Sequence, residues 1–142
     1  MSREIKIFKT IDNFDLIVKI EKGSIIFETS ETESGKYEFN CVFNDEVFKE
    51  LLTYIEVNAT AIWKGFSPKD ATSIGTDYAE YYDRKLDNNG YLDIKENMLT
   101  IDRPSLDSTR LYIFNKGKAQ SFVYDFKIIL KKKNIWFKNK NF

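Results

Sequence analysis

Residues 36–58 read KYEFNCVFNDEVFKELLTYIEVN, and within this stretch the spacing of the apolar residues changes. Up to Phe43 they alternate: Tyr37, Phe39, Cys41 and Phe43 fall on one side of an extended chain, with Glu38, Asn40 and Val42 on the other. After Asn44 the period lengthens, so that Val47, Phe48, Leu51, Leu52 and Ile55 make one apolar stripe along a helix. Asn44 is a good N-cap, and Asp45 and Glu46 place negative charge in the first turn, where the helix dipole favours it. A strand that runs directly into a helix, each with one apolar face, predicts an α+β fold.

Toward the N-terminus the reading continues as strands. REIKIFKT alternates with Ile5 and Ile7 on one face, and FDLIVKI and SIIFET follow, joined by the tight turn Glu21-Lys22-Gly23-Ser24. Toward the C-terminus a similar order recurs. TAIWKGF reads as a strand, GYLDI and MLTID as a hairpin about Lys95, Glu96 and Asn97, and TRLYIF as another strand. GKAQSFVYDFKIILKK reads as a helix that turns Ala119, Phe122, Val123, Phe126 and Leu130 inward. Phe43-Asn44 and Phe114-Asn115 both mark a strand passing into a helix. The expected architecture is antiparallel sheets with two helices, built as a tandem repeat of a four-strand-plus-helix unit. The chain is expected to be one domain, residues 1–142. Its pseudo-repeat halves are about 1–57 and 58–133, with an insertion over about 66–90 and a basic tail over 131–142.

Several chemistries are excluded by what is missing. The chain has no histidine, which removes Ser-His-Asp and Cys-His hydrolysis, zinc hydrolysis and facial-triad iron sites. Neither of the glycine-rich phosphate cradles, GxGxxG or GxxxxGK[ST], is present. The single cysteine, Cys41, lies among alternating strand residues and is expected to pack as a small apolar group. KLDNNGYLDIKE, residues 85–96, matches a calcium loop at Asp87, Asn89, Gly90, Leu92, Asp93 and Glu96. At the first ligand position, however, stands Lys85, and its flanks suit strands better than helices, so Asn89-Gly90 is read as a turn and no metal is expected. No cofactor and no enzymatic activity are expected.

No apolar run approaches the roughly 20 residues that cross a bilayer, and MSREIKIF has no apolar export core, so a cytoplasmic protein without a membrane partner is expected. The net charge is zero but polarised. Residues 1–115 carry 14 Lys and Arg against 21 Asp and Glu, a balance of −7, and residues 116–142 carry eight lysines against Asp125 alone. In the insertion, TDYAEYYDRK reads as a short helix whose Asp77, Glu80 and Arg84 share a solvated face.

Two functional readings follow. The first is a non-enzymatic protein-binding module, of the immunity-type or mobile-element inhibitor kind. Trp63, Phe66, Tyr78, Tyr81 and Tyr82 would be its anchors, with Asp77, Glu80 and Asp83 as a rim steering a partner with a basic surface. The second is single-stranded nucleic-acid binding. Repeats of four strands and a helix resemble the element order of Whirly- and Pur-type domains, and the basic tail offers Lys131, Lys132, Lys133, Trp136, Lys138 and Lys140 to phosphates and bases. On the plainer reading, Lys131 to Lys133 close the second helix and the rest of the tail frays.

Overall fold

The computed structural model describes residues 4–12, 14–29, 36–70, 91–102 and 109–140, with side chains in the last helix given to Lys132. The elements are β1 (Glu4–Lys9), β2 (Asp15–Glu21), β3 (Ser24–Thr29), β4 (Glu38–Val42), α1 (Asp45–Ile62), β5 (Tyr91–Lys95), β6 (Met98–Asp102), β7 (Arg110–Phe114) and α2 (Lys116–Lys140). The fold is α+β, with two antiparallel sheets and two helices.

Both strand-to-helix junctions work as the sequence predicts. The Asn44 side-chain oxygen accepts from the Val47 amide at 2.8 Å, and the Asn115 oxygen accepts from the Lys118 amide, also at 2.8 Å. Each asparagine satisfies an amide that the first helical turn leaves without a partner. The phenylalanine before each cap, Phe43 or Phe114, is buried. Along α1 the buried residues are Phe48, Leu51, Leu52, Ile55 and Ala59, and along α2 they begin with Ala119, Phe122, Val123 and Phe126.

One core is shared by both sheets and both helices. Its centre is aromatic. Phe48 of α1 meets Phe126 of α2 with ring centroids 4.5 Å apart, and Phe122 packs on Phe114 at 5.0 Å and on Phe27 at 6.3 Å. The Lys127 ammonium reaches Glu56 at 2.9 Å, tying the helices together at the surface.

The sheets are wired differently from a tandem repeat. The four-stranded sheet has the order β1-β2-β3-β7 and the three-stranded sheet the order β4-β6-β5. Each half of the chain therefore lends its last strand to the sheet begun by the other half. Along the first sheet, Ile25 pairs with Phe114 and Phe27 with Tyr112; along the second, Phe39 pairs with Ile101 and Cys41 with Leu99. Hydrophobic alternation marks each strand correctly, yet strand order depends on pairs far apart in sequence.

Two expectations are corrected. TAIWKGF is not a strand: Thr60, Ala61 and Ile62 continue α1. Polar groups on that turn are satisfied within the helix, since the Asn58 amide donates to the Tyr54 carbonyl at 2.8 Å and the Thr60 hydroxyl to the Glu56 carbonyl at 2.9 Å. The buried Ala59 adds packing and favours the helix, and the chain turns away only near Gly65, whose φ of +74° suits glycine. The C-terminal tail also departs from the fraying expected of it, because the backbone of α2 remains helical to Lys140.

The hairpin between β5 and β6 falls where it was expected, turning through Glu96 and Asn97, with Asn97 at φ 61°. At the N-terminal edge, Lys6 pairs with Val18 and Phe8 with Leu16, so Glu4, Lys6 and Phe8 face the core side of the sheet. Ile5 and Ile7 therefore point away from it, each 53% exposed.

Candidate functional site

The inward-facing charged residues of β1 have a physical consequence. A charged pair cannot be packed under a helix without a large desolvation cost, so α1 and the start of β1 stand apart and leave an open groove. Its volume is about 590 Å³, with Glu4 and Lys6 on one wall and Lys49, Glu50, Thr53, Tyr54, Val57 and Asn58 on the other. The helical residues fall in two adjacent rows, spaced by three and four, beside the buried stripe.

Tyr54 is the centre of the groove. Its ring packs edge-on against Phe8 at 5.7 Å and 61°, and the Lys6 ammonium lies 5.4 Å from its centroid and 5.5 Å from that of Phe8. This places a cation against two π-faces. The Tyr54 hydroxyl is buried and makes no hydrogen bond. Burial, followed by the nearby Glu4 carboxylate, pushes its pKa up to about 12. Val57, 61% exposed, adds an apolar surface at the rim.

Mixed charge, one unsatisfied phenol and an exposed valine thus line the groove. Among the described residues no group of His, Cys, Asp and Glu is placed to hold a metal ion. Cys41 is buried on β4, opposite Leu99 of the neighbouring β6, and desolvation raises its pKa to about 12, only partly offset by the positive charge of Lys36. Its thiol remains protonated and packs as an apolar group.

The residues singled out from sequence are distributed differently. Trp63 and Phe66 stack at 6.1 Å and 23°, and both pack, partly buried, against the core. The segment that follows is fastened to the start of α2: the Ser67 amide donates to the Gln120 side chain at 3.2 Å, the Lys69 amide to the Gln120 carbonyl at 3.2 Å, and the Lys116 ammonium to the Lys64 carbonyl at 2.6 Å. These two rings therefore help to join α1 to α2. Asp77, Tyr78, Glu80, Tyr81, Tyr82 and Asp83 lie outside the described residues, as do Lys85 to Gly90 of the calcium-like loop. Lys131 and Lys132 are exposed on α2; Lys133, Trp136, Lys138 and Lys140 share its helical backbone.

Sequence reasoning missed the groove. The available signal was in EIKIF, where Glu4 and Lys6 have the same parity as Phe8: once the aromatic ring takes its face of the strand inward, two charges go with it. Among the described residues no helix is long and apolar enough to cross a membrane. No protein-family model, curated protein or solved structure matches this chain, so the groove is read on its own geometry.

Proposed function

We propose that this chain is a non-enzymatic protein-binding module that seats its partner in the groove between β1 and α1. One observation carries the reading: exposed apolar side chains flank β1 on both sides, Ile5 and Ile7 outside and Val57 within the groove, among charges of both signs. Such a patch suits a protein surface, in which an apolar centre is ringed by paired charges. The −7 balance of residues 1–115 favours a partner with a basic surface, and an inhibitor of the immunity or mobile-element kind suits so small a module. The tyrosine-rich insertion remains part of this proposal as a second contact. An internal duplication, with last strands exchanged between the halves, is the proposed origin of the matching Phe-Asn junctions.

The outward strand faces lend little to nucleic acid. On the three-stranded sheet, exposed Tyr91 pairs with Asp102, and Asp93 with Thr100. Nucleic acid instead remains a second reading through the helical basic end of α2, where Lys131 and Lys132 are exposed and Lys133, Lys138 and Lys140 follow on the same helical backbone. The test is capture of partners from host extract on the tagged full-length chain, then calorimetry with the purified partner. Val57→Arg should weaken protein binding about tenfold or more with an unchanged melting temperature. Retention of nucleic acid, lost on removing residues 131–142 and indifferent to Val57→Arg, would establish the second reading instead.

A further inference from the structure

β1 is the outer strand of its sheet, bonded to β2 on one side, and its register with β2 runs without a bulge from Glu4 to Lys9. Regular edge strands are ordinarily guarded by proline, by a bulge or by charge on either face, because their free amides and carbonyls recruit other strands. β1 has neither proline nor bulge; its charges are Glu4 and Lys6 on the groove face and Lys9 at the end of the outward face, on which Ile5 and Ile7 are each 53% exposed. A second strand therefore fits only where its own charges answer Glu4 and Lys6. We propose that the free edge of β1 pairs antiparallel with β1 of a second copy of this chain, about a two-fold axis at Ile5.

The charges select that register. In a two-fold antiparallel pair, residues directly opposite share a face, so the axis must pass through a residue of β1. Centred on Lys6, the pair sets one Lys6 against the other; centred on Ile7, it sets Lys6 against Phe8, so that neither Glu4 nor Lys6 meets its opposite charge. Centred on Ile5, it sets Ile5 against Ile5, Glu4 against Lys6 of the second copy, and Lys6 against Glu4 of the second copy. The Ile7 side chains then lie diagonal to Ile5 across the seam. Glu-Ile-Lys is its own antiparallel complement, in apolar contact on one face and in charge on the other.

Pairing in this way makes one eight-stranded sheet and carries the outward isoleucines across it. Ile113, Ile26, Ile17 and Ile7 already step across the four strands of one copy, with Ile26 opposite Ile113 and Ile7 opposite Ile17. On the other face, the two grooves meet. Glu4 and Lys6 of both copies form a common floor, and the two α1 helices form the walls. The use of that trough rests on the groove being the partner site, whereas the pairing itself does not.

Sedimentation equilibrium of the full-length chain, without any partner, tests the pairing from micromolar to millimolar concentration. The wild type should show a reversible monomer–dimer equilibrium. Glu4→Lys alone and Lys6→Glu alone each set like charges opposite one another, and each should weaken dimerisation about tenfold or more. An equimolar mixture of those two variants should dimerise again, because every cross-strand pair then unites opposite charges. Ile5→Lys, with two ammonium groups on the axis, should be monomeric and should not recover in any mixture. Circular dichroism of each variant confirms the fold. A wild type that stays monomeric at millimolar concentration, or single variants that dimerise as well apart as together, would overturn the proposal. Loss of partner binding by Val57→Arg, with dimerisation intact, would leave the groove reading standing separately.

Discussion

Three asparagines hold the joints of this fold, and they differ in how far each could be read from sequence. Asn44 was legible as a cap because a cap acts within four residues, and Asn115 only as the matching strand-to-helix junction, whose cap the structure adds. Replacing either by alanine should cost about 1 kcal/mol in urea unfolding. Asn97 was legible only as part of a turn. Its amide group donates to the Phe43 carbonyl at 3.1 Å and to an Asp45 carboxylate oxygen at 2.7 Å, and its carbonyl accepts from the Phe43 amide at 2.8 Å. It thus locks the β5–β6 hairpin onto the junction of β4 and α1, 54 positions away in sequence, a distance across which no local pattern points. Asn97→Ala should cost about 2 kcal/mol, from the left-handed backbone and the lost bonds together, while Asn97→Gly, which accepts the backbone freely, should cost less. Cys41 sets a pH dependence at this same scale. Its folded pKa lies above its ordinary value, so its contribution is complete below about pH 9 and falls away as pH rises toward 12. Thermal melts of wild type and Cys41→Ala across pH 8 to 11 should converge as the pH rises.

Among the elements, α1 and α2 show why a face is easier to foresee than a boundary. The apolar stripes were set by spacing alone, and the structure buries Phe48, Leu51, Leu52, Ile55, Phe122, Val123 and Phe126. Phe122 is fully buried among Phe27, Phe114 and Phe126, so Phe122→Ala should cost about 3–5 kcal/mol through lost transfer energy and the cavity left behind. The end of α1 was misplaced because Thr-Ala-Ile-Trp contains β-branched and aromatic residues, which suit strands as well as helices. Burial of Ala59 and the side-chain bonds of Asn58 and Thr60 decided for the helix, and those are tertiary and conformational facts. The end of α2 was misplaced for a related reason: a lysine-rich segment gives no apolar period to follow. Among the described side chains of α2 the buried ones all precede Lys127, and Lys131 and Lys132 are exposed, so ending the chain at Lys132 should leave the melting temperature within a few degrees of wild type. The edge strand β1 was recognised as a strand, but the groove under it was not, since alternation marks two faces without saying which one a helix will cover.

For the molecule as a whole, class was legible and wiring was not. The count of helices and the antiparallel character of the sheets follow from local patterns, whereas the exchange of β4 and β7 between sheets follows from pairings such as Ile26 with Ile113 and Asn40 with Thr100. Two sheets each built from one half of the chain, and two sheets that take strands from both halves, have the same element order and differ in what each half can do alone. Neither residues 1–65 nor residues 66–142, expressed separately, should show a cooperative thermal transition by circular dichroism; mixing the two should restore one if the fragments associate. The exchange also governs how the chain is made. While a ribosome extends the chain, β1, β2 and β3 can form hairpins early, but the free side of β3 waits for Tyr112 and Phe114, and β4 waits for Leu99 and Ile101. At synthesis rates of about 5–20 residues per second, β3 stands open for several seconds after it emerges. Nascent copies on one messenger, spaced closely and each with an unfilled sheet, have that interval in which to pair with one another in place of their own C-terminal strands. Folding to the monomeric core is therefore a matter of timing as well as stability, and a chaperone that shields β3 until β7 arrives should raise the soluble yield.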